Sequence, residues 1–169
     1  MKKYWPLFGT AGLFTADQLL KSYAEQNLDK AEERTVAGPV VLRRVENEGM
    51  CLGLLSDRPK AVRALSLAAS AAVTVMQAAA FAGRKALWKK MALSLLSAGA
   101  WSNTFDRFAR GYVVDYIGFS RKDAKCSKLS KLTYNMGDFL IAAGALMLSV
   151  YSLFVPTGRK KENAKVEES

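Results

Sequence analysis

Long uncharged runs separated by short polar stretches set the pattern of this chain. From Ala64 to Gly83 twenty residues pass without a charge, about the length an α-helix needs to cross a hydrocarbon core roughly 30 Å thick. Asp138 to Val155 carries its only charge at its first residue. Met91 to Phe105 is uncharged, and Leu87-Trp88-Lys89-Lys90 extends it, because lysine stems snorkel and tryptophan favours the interface. Trp5 to Tyr23 is apolar except for Asp17, Gln18 and Lys21. Four such runs leave too little polar sequence to cover them in water, so the pattern predicts four membrane-spanning helices.

The stretches between them read differently. Ala24 to Arg63 is a loop of mixed charge, and within it Val36 to Val45 is rich in β-branched residues broken by Gly38-Pro39, which favours a short strand or hairpin. Asn47-Glu48-Gly49-Met50-Cys51-Leu52-Gly53 reads as a turn whose glycines permit close backbone approach or positive φ. The second run is packed with Ala and Ser, so it is expected to be a scaffold helix that neighbours approach closely. Arg121 to Lys131 is a basic connector without evident chemistry, and Pro156 and Gly158 stop the last helix. The fold class is therefore all-α and polytopic, with a small β element. Residues 1–158 are expected to form one domain and 159–169 a charged, disordered tail. Met1-Lys2-Lys3 before an apolar stretch looks like a signal peptide, but cleavage after Ala16 would put bulky Phe14 where a small residue is needed. The first segment is expected to stay as a helix.

Charge and composition narrow the function. The net charge of +10 would suit nucleic acid, yet the basic residues sit between the apolar runs and at both ends, where lipid headgroups are the better partner. No zinc-finger spacing or RNA-binding signature accompanies them, so no nucleic acid is expected. The short basic turn Gly83 to Lys90 and the basic ends favour cytoplasmic termini. Histidine is absent, which excludes His-based catalysis and most transition-metal sites. Cys51 and Cys126 are too few and too far apart for a zinc cluster; they read as two free thiols, with a disulfide open to them if both loops face an oxidising side.

Chemistry gathers at the margins of the apolar runs. Gly111-Tyr112-Val113-Val114-Asp115-Tyr116 aims one carboxylate out of an apolar setting, and Tyr134-Asn135-Met136-Gly137-Asp138-Phe139 repeats the arrangement. Ionisable groups at membrane depth are expensive and serve as functional candidates. Asp138 also suits a helix cap. Asp17 and Lys21, four apart, share a helix face and form an ion pair, with a functional role also open. Asn103, Asp106 and Arg107 project from one face at a helix end. Arg107 is the expected partner of Asp106, which leaves Asp115 free. Asn135 and Asp138 likewise share a face.

Taken together, Asp17-Gln18-Leu19-Leu20-Lys21, Asn47-Glu48-Gly49, Asn103-Thr104-Phe105-Asp106-Arg107, Gly111-Tyr112-Val113-Val114-Asp115 and Tyr134-Asn135-Met136-Gly137-Asp138 resemble, block by block and in order, lipoprotein signal peptidase (signal peptidase II), the bacterial membrane aspartyl protease. The resemblance covers about residues 5–155. It implies four transmembrane helices in the bacterial cytoplasmic membrane, both termini cytoplasmic, an extracytoplasmic β element and an active site near that face. It implies as substrate a diacylglyceryl-modified prolipoprotein cut on the N-terminal side of the lipidated Cys, with globomycin-type compounds as inhibitors and membrane lipids as surroundings. On this pattern Asp115 and Asp138 are the catalytic pair. Asn47, Gly49, Asn103, Asp106, Arg107 and Asn135 surround them, and Asp17 and Lys21 support them. Where the family usually has Ala-Phe after the Asn-x-Gly element this chain has Cys51-Leu52. Ser102 and Ala98 replace glycines, and Gly137 replaces an alanine.

The chemistry of a carboxylate pair fits that assignment. Two close carboxylates cannot both ionise cheaply, so they share a proton and titrate as a unit. The ionised member takes a proton from water while the protonated one polarises the scissile carbonyl. No metal, cofactor or nucleophilic serine is required. A non-catalytic membrane protein that binds lipoprotein substrates is the second reading. A transporter subunit relaying protons through Asp17 or Asp138 is a third, against which the missing internal repeat counts.

Overall fold

A computed structural model describes residues 5–30, 32–50, 54–83, 86–120 and 132–154. Cys51, Leu52, Cys126, the 121–131 connector and the tail lie outside them. The element order is α1 (Trp5–Asn27), β1 (Arg34–Ala37), β2 (Val40–Asn47), α2 (Pro59–Ala82), α3 (Leu87–Ala109), β3 (Val113–Phe119), β4 (Thr133–Tyr134) and α4 (Met136–Phe154). The four apolar runs are the four helices, each longer than its uncharged stretch. α2 begins at Pro59 rather than Ala64, since proline at the first helical turn loses no hydrogen bond. α1 runs on past Tyr23, so the first loop is shorter than the charge pattern suggests.

α2 and α4 are long and apolar enough to cross a bilayer, each with a mean hydropathy of 1.6. α1 and α3 are as long but turn polar residues toward each other. α3 is the central helix, and α1, α2 and α4 all pack on it. Its contact with α4 is closest at Gly99, which lies against the backbone carbonyl of Gly137 and leaves no room for a Cβ.

The β element holds more than the expected hairpin. β1 and β2 pair antiparallel around Gly38-Pro39, and the order continues through β3 to β4, all neighbours antiparallel. β3 is the strand the sequence pattern hides. Alternation between two faces needs one of them wet, whereas Val113, Val114, Asp115 and Tyr116 are all buried. Val114 and Tyr116 pack on Ala24 and Leu28 at the end of α1. Asp115, one residue out of phase, projects from the opposite face. Gly111 makes this possible. Its φ of +93° reverses the chain just after α3, its N–H reaching the Asp106 carbonyl at 3.1 Å.

Candidate active site

Asp115 and Asp138 arrive from different elements and meet around Asn135, the residue between β4 and α4. The Asn135 side chain donates Nδ2 to Asp115 Oδ1 at 2.6 Å, and its backbone N–H donates to Asp138 Oδ2 at 3.1 Å. The Asp138 N–H returns a bond to Asn135 Oδ1 at 2.9 Å. Asn135 and Asp138 thus form a reciprocal capping box at the start of α4. Asp138 is its first-turn member, and Asn135 itself takes the capping position. The second oxygen of each carboxylate also has a donor. Asn47 Nδ2 reaches Asp115 Oδ2 at 3.1 Å, and Asn103 Nδ2 reaches Asp138 Oδ1 at 2.9 Å.

Each of the three amides is held in the donating orientation through its own carbonyl. Asn47 Oδ1 accepts the Gly49 N–H at 3.1 Å, Asn135 Oδ1 accepts the Asp138 N–H, and Asn103 Oδ1 accepts Lys21 Nζ at 2.8 Å. A flipped amide would turn an oxygen onto a carboxylate and an N–H onto a donor. Four N–H groups therefore converge on two carboxyl groups. Asp115 is 3% exposed, and burial, followed by the charge of Asp138, pushes its carboxyl up to about 7 despite the donors on it.

Behind the pair lies a charge cluster with a fully buried centre. Lys21 Nζ stands 3.0 Å from both Asp17 Oδ2 and Asp106 Oδ2. Arg110 Nη1 completes the balance on Asp106 Oδ1, and Arg110 Nε pairs with Glu25 at 2.7 Å. Lys21, Asp17 and Asp106 are fully buried, the partly exposed Arg110 answers the second acid, and each carries further hydrogen bonds, as such a cluster requires. The expectation that Arg107 partners Asp106 is corrected. Adjacent helical residues diverge by roughly 100°. Arg110, one turn on, takes that role, while Arg107 donates Nη1 to the Asn103 carbonyl at 3.1 Å and Nη2 to the Gly49 carbonyl at 3.0 Å. Arg107 thereby clips the Asn47-Glu48-Gly49 turn to α3, and its buried Nε has no partner among the described residues.

The profile of the signal peptidase (SPase) II family matches residues 10–154. The chain belongs to the signal peptidase II family. Among its relatives, the lipoprotein signal peptidase of Caldicellulosiruptor bescii is 30% identical over 146 residues, covering 86% of this chain and 87% of that protein. That of a Nostoc species is 30% identical over 144 residues, covering 85% of each. Two solved structures, each described as a bacterial membrane enzyme, share the fold with TM-scores of 0.73 and 0.70 at 20% identity. They cover 88% and 90% of this chain and 87% and 94% of their own. Membership in the signal peptidase II family makes the chain a protease of the bacterial membrane.

Within this signal peptidase, all ten residues singled out from sequence lie in one connected network. Four others escaped that reading. Gln18 Nε2 donates to Asp106 Oδ1 at 2.9 Å, Ser102 Oγ donates to Asp17 Oδ2 at 2.6 Å, and Tyr116 donates to Asp17 Oδ1 at 3.0 Å. Burial and the neighbouring Asp17 push the Tyr116 hydroxyl upward, so it remains a donor. Arg110, four residues after Asp106, carried a readable signal; the three uncharged residues did not. Two family departures fall here. Ser102 adds a hydroxyl inside the charge cluster, and a Cβ on Gly137 would sit 2.9 Å from Asn135 Oδ1 and 3.0 Å from Asp17 Oδ2, so glycine relieves crowding at the centre of the network.

Proposed function

We propose that this protein is an intramembrane aspartic endopeptidase that removes the signal peptide from diacylglyceryl-modified prolipoproteins, cutting on the N-terminal side of the lipidated Cys. The observation that carries this reading is the double bond of Asn135 to Asp115 and Asp138, at 2.6 and 3.1 Å. One residue holds both carboxyl groups in one place. The ionised member accepts a proton from water as the hydroxide attacks the scissile carbonyl carbon. The protonated member donates to the carbonyl oxygen, and collapse of the tetrahedral intermediate breaks the C–N bond with that proton passing to the leaving amine. Asn47, Asn103, Asn135 and Gly49 position the pair. Asp17, Lys21 and Asp106 hold the helices beneath it.

All four helices span the membrane in this reading. Twenty-three residues of α1 or α3 rise roughly 34 Å, enough for the hydrocarbon core. Their polar side chains face inward, and Phe8, Leu19, Trp88 and Phe105 stay on the outside. The basic turn and ends put both termini in the cytoplasm and the sheet and carboxylate pair at the extracytoplasmic face. Residues 1–158 act as one domain with 159–169 as its tail. Bilayer lipids surround it, and globomycin-type peptides are expected to compete for the site.

Cleavage of a diacylglyceryl-modified prolipoprotein by the reconstituted protein is the test. Asp115→Asn and Asp138→Asn should each lower turnover by on the order of 10² to 10⁴ while the protein still inserts. Near-normal turnover of either variant removes that residue from the mechanism. Substrate binding without any cleavage by the unsubstituted chain would replace the enzyme with a non-catalytic lipoprotein-binding protein.

A further inference from the structure

α1 and α2 both lean on α3 and leave a groove between them, on the side of α3 away from the carboxylate pair. Trp101 lines this groove and Asn103 serves the pair. Two residues advance roughly 200° around a helix, which puts the two on opposite faces. The groove encloses about 570 Å³ and is walled by Leu7, Phe14, Leu67, Trp101 and Phe108, among others. Its two hydroxyls are already engaged, Thr10 with the Pro6 carbonyl at 3.1 Å and Thr104 with Ser70 at 2.8 Å. Nothing in the walls asks for a polar ligand.

The groove is open along its length and offers an unbroken apolar floor. An extended hydrocarbon chain fits such a floor. The sheet end of the groove supplies the second requirement. Arg63 lies one turn before Leu67 on the same side of α2, and its Nη2 is 3.5 Å from the point where a Cβ on Gly111, three residues beyond Phe108, would stand. Its Nε is buried without a hydrogen-bond partner among the described residues. Among the described residues no carboxylate pairs with it. A guanidinium at the rim of a bilayer is best satisfied by an oxyanion that it can grip with two N–H groups.

We propose that the groove between α1 and α2 binds an anionic glycerophospholipid, one acyl chain lying along Trp101 and the phosphate received by Arg63. The diacylglyceryl group of a lipidated substrate is uncharged and leaves Arg63 unanswered, so the occupant is a membrane phospholipid. The site is separate from the carboxylate pair and does not depend on its chemistry.

The test uses the full chain carrying Trp5→Phe and Trp88→Phe, which leaves Trp101 as its single indole. It is reconstituted in phosphatidylcholine with a small fraction of a lipid brominated on its acyl chains, which quenches an indole it touches. Brominated phosphatidylglycerol should quench Trp101 about fivefold more effectively than brominated phosphatidylcholine at equal fraction, the size expected for one cation facing an anionic headgroup. Arg63→Gln should abolish the excess, and Arg63→Lys should retain only part of it, because an ammonium keeps the charge without the two-pronged grip. Equal quenching by the two lipids overturns the proposal, as does an excess that survives Arg63→Gln. Brominated diacylglycerol quenching as strongly as the anionic lipid would overturn it too, because a neutral chain would then be the occupant.

Discussion

Helices α2 and α4 keep their charges to the turns nearest the sheet, whereas α1 and α3 bury Asp17, Lys21 and Asp106 against each other. Asp17, Lys21 and Asp106 are 0% exposed, and Asn103 is 8% exposed. The outer surfaces of all four are alike in carrying large apolar side chains, such as Phe8, Val75, Phe105 and Leu153. The interiors separate them. α2 meets α3 through hydroxyls and α4 meets it through glycine, while α1 meets it through ion pairs. Mean hydropathy sees α2 and α4 clearly and discounts the other two for the residues that give them their purpose. In hydrocarbon a charge must be answered within the protein, so the weakest apolar runs here have the most specific packing.

Lys21→Met is the largest blow to the α1–α3 side. Removing one partner of a buried ion pair typically costs about 3–5 kcal/mol, to be read as lost stability in detergent unfolding. Asp106 keeps Arg110 at its other oxygen, but Asp17 is left with only the Ser102 and Tyr116 hydroxyls. Adding Asp17→Asn should therefore recover more stability than adding Asp106→Asn. Cleavage should fall as well, because Asn103 loses the ammonium that fixes its orientation toward Asp138.

The pH profile probes the same region without a substitution. The proposed pair works with one proton. Burial and the charge of Asp138 raise the Asp115 carboxyl to about 7, so raising the pH through that value removes the shared proton and the general acid with it. kcat/KM should decline about tenfold per pH unit above 7, roughly a hundredfold at pH 9. A rate flat to pH 9 would show that no carboxyl must stay protonated. On the acid side activity should fall as the second carboxylate takes up its proton and the base is lost.

Much of this region could be read from residue spacing, and its failures are informative. Lys21 with Asp17, and Asn135 with Asp138, stand at helical intervals that force them together. Adjacency suggests Asp106 as the partner of Arg107, but a helix turns adjacent residues apart and spacing of four selects Arg110. β3 leaves no signature in the sequence because both of its faces are buried, which erases the alternation that marks a strand. Tyr116 and Ser102 gave no signal because a hydroxyl is as common on an apolar helix or strand as in a network. Arg43, which ties β4 through Thr133 Oγ1 at 2.8 Å and the Leu132 carbonyl at 2.7 Å, acts across 89 or 90 residues, a separation that no local pattern conveys.

The α3–α4 side should respond to shape rather than charge. Gly99→Ala places a methyl against the Gly137 carbonyl and the Ile141 side chain. The carbonyl cannot yield without shifting the first turn of α4. Overpacking of this kind costs about 1–3 kcal/mol. Because that turn carries Asp138, kcat should drop while KM changes little. An equal loss in both would mean that the substrate surface, rather than the carboxylate, had moved.

The smallest effect is expected on the α2–α3 side, at Ser70→Ala. The Ser70 and Thr104 hydroxyls are 2.8 Å apart and buried, which in a soluble core would suggest a costly loss. Two features reduce it. Thr104 Oγ1 also reaches the Ser66 carbonyl at 3.2 Å, so the substitution leaves no orphaned donor. The helices of an unfolded membrane protein also find partners for their hydroxyls within the bilayer, and interhelical bonds of this type average about 0.6 kcal/mol. A loss near that value, with cleavage unchanged, fits a scaffold contact. A loss approaching that of Lys21→Met would mean that hydroxyl pairs hold this bundle as firmly as its ion pairs, and the contrast between the two sides would disappear.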